Sequence, residues 1–207
     1  MSEKNIVVTI GREYGSGGSE IGRQIAEKLG IKFYEEQLLQ EAAEKLNKDP
    51  EALKKYEESK SGLDTFFGGG HSTPMDMPAV TYGQLDQYAL FRVESTLIRD
   101  IAEKESCVIV GHCGSYVLKD KDASLRAFIY APMEFRVGRV MADNKSFTHA
   151  EAERLIRRMD KNRQHYYEYY TDYPWGRQEG HDILIDSSIL GIDGTADLLV
   201  DFIKNRS

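Results

Sequence analysis

The sequence predicts a parallel α/β domain, because strands alternate with helices, one strand is apolar along its whole length, and a glycine-rich turn follows the first strand. Alternation of this kind requires helical crossovers on both faces of the sheet, and Cys107 to Val110 is continuously apolar, as a strand buried on both faces should be. With 207 residues, 41% of them hydrophobic, the chain has the size of one domain with a real core.

Asn5 to Ile10 is a β-branched run that ends at Gly11. Ile21, Ile25 and Leu29 then recur at helical spacing, and Gly30 stands where a helix end takes a glycine. Ile31 to Tyr34 reads as a short second strand, followed by Leu38, Leu39, Ala42, Ala43 and Leu46 as the apolar stripe of a second helix. Pro50 opens a short charged helix to about Lys60. From Ser61 to Thr81 glycines and prolines leave no period, which predicts a loop of about twenty residues, either a mobile substrate-side loop or a plain linker. A long helix follows over Tyr82 to Glu105, carried by Leu85, Tyr88, Ala89, Leu97, Ile98 and Ile101. Beyond Cys107–Val110, Leu125 to Ala131 is another strand and Pro132 opens the next helix. A polar helix runs from about Thr148 to Tyr170, Ile183 to Ile185 is the last strand, and Asp193 to Lys204 the last helix.

Charge and composition narrow the function. Thirty-four acidic against 27 basic side chains give a net charge of −7, which argues against the extended cationic face that grips nucleic acid. Ile6 to Ile10, the longest apolar run near the N-terminus, is too short for a signal segment or a membrane span, so a cytoplasmic protein with no membrane partner is expected. Cys107 and Cys113 match neither a zinc pattern nor a redox pair and read as reduced thiols near a strand end.

The turn Gly11-Arg12-Glu13-Tyr14-Gly15-Ser16-Gly17-Gly18-Ser19 sits where a parallel sheet binds ligands, beyond the carboxyl end of its first strand. Glycines let successive N–H groups converge on one concavity and the following helix adds its positive end, so an anion is the expected guest. The standard phosphate loop ends in Gly-Lys-Ser/Thr; here Gly18 occupies the lysine position, and Arg12 is the nearest candidate for the missing cation. Ser19 is either the hydroxyl that holds Mg²⁺ or the cap of the helix.

These residues resemble the cytidylate kinase-like family, a branch of the nucleoside monophosphate kinases with a variant P-loop. The resemblance rests on Gly11 to Gly18, on Val110-Gly111-His112-Cys113-Gly114, on Arg157-Arg158-Met159-Asp160-Lys161-Asn162-Arg163, and on Asp182-Ile183-Leu184-Ile185-Asp186-Ser187-Ser188, in the family's order and over nearly the whole chain. It implies a P-loop kinase fold with about five parallel strands, transferring the γ-phosphoryl group of ATP, with Mg²⁺, to CMP or dCMP. It implies further that Arg158, Lys161 and Arg163 are lid cations, with Asp160 the acid among them. The chain departs from the family pattern after Gly111, where an arginine usually contacts the acceptor and His112 stands here, and after the double glycine, where Ser19 replaces an often basic residue. A nucleotide-binding protein with little turnover and a kinase of another small acceptor are the alternatives. The expected organisation is a single domain over 1–207, with a core of 1–34, 106–147 and 182–207, an acceptor-side insertion at about 35–105 and a lid at about 148–181.

Between Arg154 and Arg163 five cations meet one acid, and at about 100° per residue Arg154, Arg157, Arg158 and Lys161 share one arc of roughly 100°. Leu155, Ile156 and Met159 form the opposite, apolar stripe. Arg163 falls outside the cationic arc and joins it only if the helix ends or bends near Asn162. The stripe is either a phosphate clamp or a solvated face, and the aromatic cluster from Tyr166 to Trp175 either packs the lid or stacks a base. On the acceptor side Tyr34, Glu35, Gln37, Arg92 and His112 are the candidate contacts. Arg136 and Arg139 approach the donor phosphates or face solvent. Asp186 is read as a turn-former rather than a site residue.

Overall fold

The computed structural model describes residues 5–51, 82–121 and 125–206. The expected helix after Pro50 lies almost wholly outside these residues, and the loop at 61–81 lies wholly outside them. The elements are β1 (Val7–Arg12), α1 (Gly18–Leu29), β2 (Lys32–Tyr34), α2 (Glu36–Leu46), α3 (Tyr82–Lys104), β3 (Cys107–Val110), α4 (Gly114–Val117), β4 (Leu125–Tyr130), α5 (Met133–Asp143), α6 (His149–Tyr170), β5 (Ile183–Asp186) and α7 (Ser187–Arg206). The five strands form one sheet in the order β2-β3-β1-β4-β5, with every pair parallel.

Side chains alternate along each strand, so β1 feeds two cores. Val8 and Ile10 pack with Ile21 and Ile25 of α1 and Leu199 and Ile203 of α7 on one face. Val7 packs with Leu38, Leu90 and Ile98 of α2 and α3 on the other. Both faces of β3 are buried, which is why its sequence carries no polar residue. Cys107 and Cys113 are buried free thiols, and burial pushes the Cys107 thiol up to about 12.

Several boundaries shift by a residue or two from the sequence reading. The main addition is at the C-terminus, where α7 starts at Ser187 and is broken at Gly191 (φ 70°), so a further turn precedes the periodic stretch that sequence detects. Its start is organised by Asp186, whose Oδ1 accepts from Ser188 N (2.9 Å) and Ser188 Oγ (2.7 Å), in keeping with a turn-former. α6 is continuous to Tyr170 and opens on a capping box of Thr148 and Glu151. Among the described residues no helix is long and apolar enough to cross a membrane.

With β1 between β3 and β4, the turns that leave β1 and β3 come out side by side at the carboxyl edge of the sheet. α6 lies across them, and the site forms in the space between.

Candidate functional site

The glycine turn is shaped by two left-handed residues, Gly15 (φ 78°) and Gly17 (φ 81°), a conformation that costs other residues strain. Gly17 is the cap residue of α1, and no side chain caps the helix, so the reading of Ser19 as its cap is corrected. Ser19 lies inside the first turn of α1, and an anion is the natural partner for that turn's N–H groups. Ser187 on α7 braces the turn from below, donating from Oγ to the Ser16 carbonyl at 2.6 Å.

Arg12 fills the space over Gly18. A Cβ at Gly18 would stand 2.5 Å from the Arg12 Cβ, so the position that carries lysine in the standard loop must be bare for the arginine to pass. The guanidinium then lies against Gly111 at the end of β3, where an added Cβ would run into it. It is held by Glu35, with Nη2 3.1 Å from Oε1, and the same oxygen accepts from Ser19 Oγ at 2.5 Å. Gly111, His112 and Cys113 form three successive left-handed residues (φ 84°, 52° and 52°). For His112 and Cys113 this costs roughly 1–3 kcal/mol each, a strain that the surroundings must impose.

α6 grips the turn from above. Asp160 accepts from the Tyr14 backbone N at 2.7 Å and pairs with Arg136 through its second oxygen. Arg136 is buried and also reaches Glu13 Oε2 (3.4 Å) and the Tyr14 carbonyl (3.3 Å). Glu13 in turn accepts from Ala131 N at 3.1 Å, while burial pushes its carboxyl up from the usual range. Asp160 thus shapes the loop, and Arg136 is a buried tie rather than a solvated charge. One turn along, Arg163 donates to the Arg12 carbonyl (3.2 Å) and lies over the Tyr14 ring, 5.4 Å from its centroid. Burial and the neighbouring Arg12 push its guanidinium down to about 9. It remains a cation at neutral pH, held at a cost that an arriving anion would relieve.

Two cavities flank the turn. One, of about 490 Å³, runs between β1, β3, α2 and α6, and the other, of about 470 Å³, lies between the glycines, α5 and α6. Arg12, Tyr14, Ser19 and Arg163 line both. The first also takes Glu35, Glu36, Gln40 and His112 on its polar side, with Phe128, Trp175 and His181 at one wall. The second takes Gly15, Gly17 and Gly18, with Arg139, which pairs with Glu20 at 2.7 Å.

The structure gathers some expected residues and scatters others. The turn from Gly11 to Ser19 lines the two cavities except at Ser16, which is fully buried and lines neither, and Glu35, His112 and Arg163 join it there. Tyr34 does not: it packs into the core, and its hydroxyl points back along the sheet to donate to Glu105 at 2.5 Å. Gln37 and Arg92 are exposed on outer helix faces and line neither cavity, Arg92 lying near the Tyr88 ring. Arg154, Arg157, Arg158 and Lys161 are likewise exposed and line neither cavity. Because α6 runs straight past Asn162, Arg163 faces inward, and the cationic stripe faces away from the site.

Sequence reasoning missed Glu94 and His181, whereas Trp175, read as part of the aromatic cluster, lines the first cavity. Glu94 is fully buried beneath His112, and a lone acid on the apolar stripe of Leu90, Leu97 and Ile98 was its signal. His181 donates from Nδ1 to the Arg177 carbonyl (2.8 Å) and packs on Phe128, close against Gly11, while burial lowers its pKa. Nothing local in the sequence marks it.

Known proteins with similar features point one way. Residues 7–189 match the model of the cytidylate kinase-like family. A cytidylate kinase from Methanopyrus kandleri is 26% identical over 205 residues, which is 94% of this chain and 91% of that protein. A crystal structure of an uncharacterized protein from Eubacterium ventriosum superposes with a TM-score of 0.70 at 26% identity, covering 97% of this chain and 99% of its own. Shikimate kinase from Bacteroides thetaiotaomicron shares the fold at 13% identity (TM-score 0.55, covering 96% and 98%).

Proposed function

The chain belongs to the cytidylate kinase-like family, and from that premise we propose that it transfers the γ-phosphoryl group of ATP to CMP or dCMP. Family and fold together support a phosphotransferase acting on a nucleotide or other small molecule. The observation that carries the reading is that the two cavities meet at one set of groups, Arg12, Tyr14, Ser19 and Arg163. A donor in the glycine-side cavity and an acceptor in the other would bring their phosphates together there.

In the transfer, an acceptor phosphate oxygen attacks the γ-phosphorus as the bond to the β–γ bridging oxygen breaks, and the spreading negative charge must be neutralised. Arg12 and Arg163 are the cations at the meeting point. Both are anchored before any ligand arrives, so little reorganisation is needed during the reaction. Arg139 and the first turn of α1 would hold the donor phosphates. On the acceptor side the carboxylates of Glu36 and Glu51 and the amide of Gln40 offer the acceptors and donors that a cytosine edge requires.

A magnesium ion fits the hydroxyl at Ser19. Its proton is given to Glu35, which leaves the oxygen lone pairs free for a hard cation. Among the described residues no group of three His, Cys, Asp or Glu side chains could hold a metal, so phosphate and water oxygens would complete the shell, as Mg²⁺ prefers. When bound, the ion supplies charge neutralisation at the β- and γ-phosphates.

Coupled ADP release with Mg²⁺-ATP and a panel of monophosphates tests the reading. Turnover on CMP or dCMP with Arg12→Ala at least about 100-fold slower is expected. Turnover only on another acceptor, or ATP binding without turnover on any, would replace it by one of the two alternatives.

A further inference from the structure

Glu94 on α3 is fully buried, and its Oε1 lies 2.9 Å from His112 Nδ1. The other ring nitrogen, Nε2, lies 3.0 Å from the backbone carbonyl oxygen of Glu35. A carbonyl oxygen only accepts, and so does an ionised carboxylate, whereas a neutral imidazole has one N–H to give. The pair therefore holds one more proton than a neutral ring beside a carboxylate. The Tyr166 hydroxyl of α6 donates to the other carboxylate oxygen, Oε2, at 3.3 Å, which favours the ionised acid, and imidazole is the more basic of the two groups, so both favour that proton on the ring. Arg12, Glu35 and Cys113 line the same cavity as His112.

The contacts continue towards the junction of the cavities. His112 grips the backbone of Glu35, and the Glu35 carboxylate grips both Arg12 and Ser19. His112 therefore spends its outward N–H on the protein and leaves the acceptor phosphate to the arginines.

We propose that Glu94 is a positioning residue: it holds His112 with protons on both ring nitrogens, so that His112 pins Glu35, and Glu35 aims Arg12 and Ser19 at the junction of the two cavities. The proposal rests on the reading of that junction as the transfer site, but its first test does not.

Long-range ¹H–¹⁵N spectra of the wild-type imidazoles are expected to show both His112 nitrogens protonated at a pH of about 8, where an ordinary histidine is neutral. A neutral His112 there would overturn the proposal without any variant. Glu94→Ala should abolish that signature, move the Arg12 Nε–H resonance, and lower kcat at least about tenfold with KM for ATP nearly unchanged. Glu94→Gln can donate to Nδ1 and leave the Nε2–H on Glu35, so it should restore the Arg12 resonance and most of kcat with a neutral ring. Full activity in Glu94→Ala would overturn the relay. Should the wild type turn over no acceptor, the kinase reading falls, and an unmoved Arg12 resonance in Glu94→Ala would still sink the relay separately.

Discussion

The two faces of α6 carry similar residue types and do different work. Its outer face holds Arg154, Arg157, Arg158 and Lys161, all exposed, with Arg157 paired to Glu153 one turn away at 2.6 Å. Its inner face holds Asp160 and Arg163, of which one clasps the glycine turn and the other lies over Tyr14 beside Arg12. The outer cations are hydrated, and solvent screens whatever they face. The inner pair works where water is largely excluded, so each charge has a named partner or a named cost. A count of charges along the helix favours the outer face; desolvation gives the inner one the chemistry.

Removing Asp160 should have the largest effect. Asp160→Ala leaves Arg136 buried without its main counter-ion, and a loss of about 3 kcal/mol or more in urea-unfolding free energy is expected. Next comes Arg163→Met, which should lower kcat about 100-fold or more while leaving the thermal midpoint of the free protein unchanged or raised, since a cation disfavoured by burial has gone. A clear drop in that midpoint would make Arg163 a structural rather than a functional cation.

His181 gives a smaller effect with a defined sign. Its folded-state pKa lies below the ordinary value of about 6.5 because burial disfavours the charged ring. As pH falls through about 6.5 the unfolded chain takes up a proton that the folded one refuses, so stability falls on acidification. His181→Gln should flatten the dependence of the urea midpoint on pH between about 7 and 5; an unchanged slope would place its origin elsewhere.

The outer face should give the smallest effects. Arg157→Ala should cost no more than about 0.5 kcal/mol, as exposed pairs one helical turn apart do. Arg158→Ala should change kcat less than about threefold, in line with a solvated side chain. A fall of two orders of magnitude, such as the resemblance to lid cations implies, would break the comparison and show that α6 turns this face inward during turnover.

The same contrast explains what could be read from sequence. Strand alternation, the buried strand Cys107–Val110 and the glycine turn all depend on neighbours in the chain, and so they were legible, as was the clustering of cations on α6. Which face of α6 meets the turn depends on how Asp160 docks on Tyr14, 146 residues away, and no helical wheel contains that contact. Tyr34 was misplaced for a similar reason, since a residue at a strand end reads as site-facing until Glu105 is seen to draw its hydroxyl the other way. Glu35 and His112, read from sequence as acceptor-side candidates, both line the first cavity, but the contact of His112 with Glu94, 18 residues away, is a tertiary one that no local pattern contains.

The bare Cα at Gly18 also has a consequence for how such a loop changes over time. With the Arg12 Cβ 2.5 Å from where a Gly18 Cβ would stand, lysine and arginine exclude each other within one loop. Gly18→Lys alone collides with Arg12, and Arg12→Gly alone leaves the loop without either cation. The two positions are therefore coupled by steric exclusion, and exchanging one cation for the other calls for substitution at both.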